Sequence, residues 1–101
     1  MIRDRDPVLD ADEIGIQALM FVASHDDLMN RFLDLSGLQA DGVRAAAADP
    51  SFFVSLLDFI LAREEDVIDL ASQLRVRPQL IGQARNVLAK ATGLDLVDLP
   101  T

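Results

Sequence analysis

Cysteine, tryptophan and tyrosine are absent from this sequence, and histidine occurs once, as His25. Without cysteine there is no disulfide, no thiolate metal site and no thiol nucleophile. A lone histidine excludes a two-histidine metal site within one chain. No apolar run approaches the ~20 residues of a membrane-spanning helix. The opening residues, Met1-Ile2-Arg3-Asp4-Arg5-Asp6-Pro7, carry no apolar stretch of the signal-peptide kind, so a soluble, cytoplasmic protein without membrane attachment is expected. Glycine-rich phosphate loops, nucleophile elbows, nucleotide fingerprints and zinc-hydrolase motifs are also missing. No cofactor, metal or small-molecule substrate is indicated, and catalysis is not expected.

What remains is apolar and acidic. Half of the 101 residues are apolar, and 17 acids outnumber 9 bases, for a net charge of −8. A chain of this size makes one domain with a core of its own, and this apolar content argues against intrinsic disorder. As a whole the molecule is repelled by phosphate backbones and anionic lipid, so nucleic acid is disfavoured unless a local basic patch binds it.

The apolar periodicity is helical almost throughout. Residues 10–24 form a first helix, apolar on most of its circumference, with Asp10 and Glu13 at capping-box spacing. A second helix follows from Asp26 to Ser36, with Gly37 placed to take the positive φ of a C-terminal cap. Asp41 can cap a short alanine-rich helix over residues 42–48. Asp49-Pro50 is the clearest helix start, opening a very apolar fourth helix. A polar kink near Arg63 separates it from a fifth helix, residues 64–74, whose first turn is acidic. Pro78 opens a sixth, ending near Ala91. The expected fold is an all-α compact bundle of five to six helices, with residues 14–23 and 52–62 as its centre. Residues 1–9 form an arm, residues 10–93 the domain, and residues 94–101 an acidic-apolar tail.

Shifting the chain by 38 residues aligns its core classes: Ile14 with Phe52, Val22 with Ile60, Phe32 with Leu70, Asp26-Asp27 with Glu64-Glu65. Two degenerate three-helix halves explain this, and so do two unrelated helical triplets of similar length.

The most specific local pattern is a helix-turn-helix-like segment at residues 67–91. Ala71 supplies the small residue at the helix crossing, Leu70, Leu74 and Val76 flank the turn, and Ile81 lies inside the second helix. Arg75 stands where glycine is usual. Residues 70–94 contain four bases and no acid, against 5 bases and 17 acids elsewhere. Arg75, Arg77, Gln79, Gln83 and Arg85, with Asn86, are the candidate nucleic-acid-binding residues. The competing reading is an ordinary bundle corner whose Arg85 and Lys90 serve the helix dipole.

His25 sits among Ser24, Asp26 and Asp27, but sequence neighbours do not build a Ser–His–Asp triad, and it reads as a solvated junction residue. The carboxylates around residues 26–34 and 64–69 lack calcium-loop and diiron spacing. Asp58 shares a helical stripe with Ser51, Ser55 and Ala62, so exposure is expected; if buried, it would need Arg31 or Arg44.

Helices one and four, with Met29, Phe32 and Phe53, carry more apolar surface than a small domain readily covers. A protein partner or self-association, most simply a homodimer, is the leading expectation.

Glu13-Ile14, Gln17-Ala18-Leu19, Phe21, Ala23, Arg31-Phe32-Leu33, Gly37, Pro50, Phe52, Leu57-Asp58-Phe59 and Leu61 together resemble a family of short bacterial proteins, the domain-of-unknown-function family 3572. The resemblance spans about residues 12–88 and rests on core, cap and turn positions. It implies a fold and brings no activity, cofactor or site residue. Arg75 departs from the family's usual turn.

Overall fold

The computed structural model describes residues 10–92. The arm at residues 1–9, the tail at 94–101 and Gly93 lie outside the described residues. Six α-helices follow in order: α1 Ala11–Ala23, α2 Asp26–Ser36, α3 Val43–Ala46, α4 Pro50–Leu61, α5 Glu64–Leu74 and α6 Gln79–Thr92. A 3₁₀ turn, Ala40–Gly42, leads into α3, and none of the described residues forms a strand. The all-α bundle expected from periodicity is the fold.

Local chemistry explains most boundaries. The Asp49 side chain accepts from the Ser51 amide at 3.0 Å, and Pro50 occupies the first position of α4, where no amide is needed. Arg63 is extended between α4 and α5, which is the expected kink. Gly37 closes α2 at φ 78°. Two expectations fail at α1 and α3. Asp10 makes no side-chain cap bond, and Glu13 accepts from Gln17 at 2.8 Å instead of reaching back, so the capping box is not formed. Asp41 lies inside the 3₁₀ turn, and α3 has only four residues. Four consecutive alanines end there without a large apolar anchor to extend the helix.

The 38-residue offset is visible in the elements. Helices α2 and α5 each have 11 residues. Their first residues (Asp26, Glu64), last residues (Ser36, Leu74) and left-handed caps (Gly37, Arg75) all stand 38 positions apart. Ile14 and Phe52, Ala18 and Leu56, Val22 and Ile60, and Phe32 and Leu70 are buried in pairs at the same offset. The halves differ where the third helix comes: α3 is four residues, its counterpart α6 is 14.

That difference moves the centre of the molecule. Helix α4 packs most extensively against α6, and α1 packs against α6 more than against α4. Leu56, Leu57, Ile60, Leu70, Ile81 and Val22 are the large side chains most completely enclosed. Each contributes about 1.5–3 kcal/mol of burial. Ala84 and Ala89 let α6 approach closely, and both are fully buried. Gly15 of α1 serves a similar purpose: a Cβ there would stand 3.1 Å from the Phe53 ring. The expected pairing of α1 and α4 at the heart of the bundle is therefore corrected to a three-helix centre. The outer face of α1 is left uncovered.

Candidate functional site

Three of the surfaces left outside the core are candidates for function. The first is apolar. Ile16 and Met20, one helical turn apart on α1, are 47% and 57% exposed. Beside them, Leu19 and Ala23 line a groove of about 440 Å³ with Met29, Val43 and Ala47; Arg44 borders it. Comparison at the 38-residue offset locates the open face. The counterpart of Ile16 is Val54, 2% exposed on α4, the helix that packs most extensively on α6. With α3 cut to one turn, α1 has no equivalent cover. Met20 corresponds to Asp58, which is exposed and charged. At that position the first half thus offers a thioether to solvent where the second half offers a carboxylate. Composition signalled excess apolar surface, but only the length of α3 locates it.

The second surface is the α5–α6 corner. Leu70, Ala71, Ile81 and Ala84 are buried and Leu74 and Val76 half-buried, so the corner is packed into the core. Arg75 takes φ 61°, in the left-handed region that favours glycine. Arg75, Arg77, Gln79 and Gln83 are all exposed, as is Asn86. Arg85 departs from this set. Its guanidinium donates to both carboxylate oxygens of Asp58, at 2.8 and 3.3 Å, and to the Asn86 side-chain oxygen at 3.3 Å. Arg85 therefore ties α6 to α4. Asp58 is exposed as expected, with Arg85 rather than Arg31 or Arg44 as its partner.

The third surface is an open polar cleft of about 390 Å³, lined by Phe21, His25, Asp26, Arg31, Arg63, Asp66 and others where α1, α2 and α5 meet. Asp66 is the one buried charged residue among those described, 6% exposed. Arg31 approaches it at 3.5 Å and Arg63 at 3.8 Å. A hydrogen bond from Arg63 to Glu65, with the attraction of that carboxylate, raises the Arg63 pKa above its ordinary value. The His25 ring packs against Phe21, tilted by 49° at 4.8 Å between centroids, and its Nδ1 lies 2.7 Å from the Phe21 carbonyl oxygen. A carbonyl only accepts, so Nδ1 carries the proton. Ser24 donates its hydroxyl to the same carbonyl at 2.9 Å. Ser24 and His25 are thus bonded to backbone in the manner of a helix C-terminus. Among the described residues, no group of three or more His, Asp or Glu could hold a metal ion. None of the described helices is long and apolar enough to cross a membrane.

The family model described as "Protein of unknown function (DUF3572)" matches residues 9–91. No curated protein and no solved structure matches the chain.

Proposed function

The chain belongs to the DUF3572 family, and we propose that it acts without catalysis, as a self-association module whose contact surface is the outer face of α1 and the adjoining groove. The observation that carries this reading is the pair Ile16 and Met20, exposed at repeat positions that the other half buries or charges. Leu19 and Ala23 extend the pair into the groove, so the apolar surface is continuous rather than scattered.

The occupant is a second copy of the chain, packed with its α1 antiparallel to the first. Asp12 lies on the same face as Ile16 and Met20, about 16 Å along the helix from Ala23. Arg44 lines the same groove as Leu19 and Ala23. Among the described residues neither Asp12 nor Arg44 has an ion-pair partner. A two-fold axis through the middle of the stripe sets Asp12 of one protomer over the Ala23 end of the partner subunit, and we pair it there with the partner subunit's Arg44, twice. An isologous contact of this kind closes at two copies.

Sedimentation equilibrium of the full chain tests the reading. The wild type is expected as a dimer, and Met20→Glu as a folded monomer, because a carboxylate cannot be desolvated without a partner. A wild type that stays monomeric at every loading concentration overturns it.

A further inference from the structure

We infer that the α5–α6 corner is a binding site for duplex DNA, with one face of α6 in the major groove and Arg75 and Arg77 on phosphate. At 100° per residue, Gln79, Gln83, Asn86 and Lys90 fall within an arc of about 60°. All four are exposed, and α6 contains no acid. Glutamine and asparagine amides are the groups that pair with adenine N6 and N7 in the major groove. They occupy the N-terminal two-thirds of the second helix, where such a corner meets base edges.

Gly82 supplies a second observation. It borders this face, and a Cβ built there meets nothing within 4 Å. Packing therefore does not require glycine at this position, unlike Gly15 against Phe53. Glycine inside a helix weakens it by roughly 0.5–1 kcal/mol relative to alanine. What it provides is an unobstructed approach to the α6 backbone from outside.

The net charge of −8 does not decide the matter, because screening makes attraction local. The Debye length is about 8 Å at physiological salt. Glu64 and Glu65 stand at the opposite end of α5 from Arg75, roughly 15 Å along the helix. Asp58 is neutralised by Arg85. Acids near the turn are Asp10 and Glu13, across a cleft that Val76 lines, and exposed Asp69, about 9 Å along α5 from Arg75. They oppose binding, so the site is weak and strongly salt-dependent.

Fluorescence anisotropy of the full chain with a labelled mixed-sequence DNA duplex at low salt tests the inference. Three phosphate contacts, from Arg75, Arg77 and Lys90, predict a slope of log K against log salt near −2.7, and Arg77→Ala should lower its magnitude by about 1. Gln83→Ala should leave that slope unchanged and weaken binding to an adenine-rich sequence selected from a random pool by about fivefold or more. Glu13→Gln should tighten binding, and Arg63→Ala, at the opposite end of α5 from Arg75, should leave it alone. Absence of binding at low salt, or equal binding to duplex RNA, whose deep major groove admits no helix, overturns the inference. So does full binding by the folded Arg77→Glu, Gln83→Glu double variant.

Discussion

Gly37 and Arg75 stand at the same place in two helices of equal length, both with the backbone in the left-handed region, at φ 78° and 61°. Glycine adopts that conformation without penalty, whereas a residue with a Cβ pays roughly 1–2 kcal/mol. Arg75→Gly should therefore stabilise the fold by about 0.5 kcal/mol or more after the greater chain entropy of glycine is allowed for, and Gly37→Ala should destabilise it by about 1 kcal/mol. Urea unfolding midpoints check both. If Arg75 also contacts phosphate, the stabilised Arg75→Gly protein should bind DNA less well, so stability and binding would move in opposite directions.

Asp66 occupies the repeat position of Leu28, and both are buried. Its two arginines are partly exposed and keep access to water when the carboxylate is removed. Asp66→Leu should therefore be neutral, or stabilising by about 1 kcal/mol, since well-packed apolar replacements of buried ion pairs often are. Asp66→Ala, which leaves a void as well, should cost about 1–2 kcal/mol more than Asp66→Leu. Denaturant titration of the two variants separates ion pairing from packing.

The Arg85–Asp58 pair is bidentate but lies largely at the surface. A double-mutant cycle with Arg85→Ala and Asp58→Ala should return a coupling of about 0.5–1 kcal/mol at low salt, and less at high salt. A coupling that high salt leaves unchanged would contradict this description of the pair as solvent-screened.

The fold was legible wherever a side chain has one structural use. Asp49-Pro50 marks the start of α4, Gly37 the end of α2, and the acidic triplet 64–66 the start of α5. The ends of α2 and α5 were legible to the residue. Asp10 was misleading because a capping-box spacing does not ensure the extended backbone such a cap needs; Asp10 takes φ −103°, ψ 42°. Helix α6 was undervalued because alanine and glycine carry little hydrophobic signal, yet Ala84 and Ala89 are what bring it against α1 and α4.

The candidate surfaces were legible only in part. An apolar excess is a property of composition, but its position depends on which helix is too short to cover its neighbour, and that is α3. Four of the five residues singled out at the α5–α6 corner are exposed: Gln79 and Gln83 because helical periodicity turns them outward, Arg75 and Arg77 because they stand in the turn between the helices. The pairing of Arg85 was not legible, because its partner, Asp58, lies 27 residues away on another helix. Nothing local announces such a pair.

The central claim is that two copies meet through antiparallel α1 helices, with Asp12 of each facing Arg44 of the other. Charge reversal followed by sedimentation equilibrium tests it most directly. Arg44→Asp alone should weaken the dimer by several-fold, because like charges then face each other across the contact. Arg44→Asp combined with Asp12→Arg should restore the wild-type association constant. Failure of the double reversal to restore association in a folded protein would contradict the antiparallel arrangement, and a monomeric wild type would contradict self-association itself.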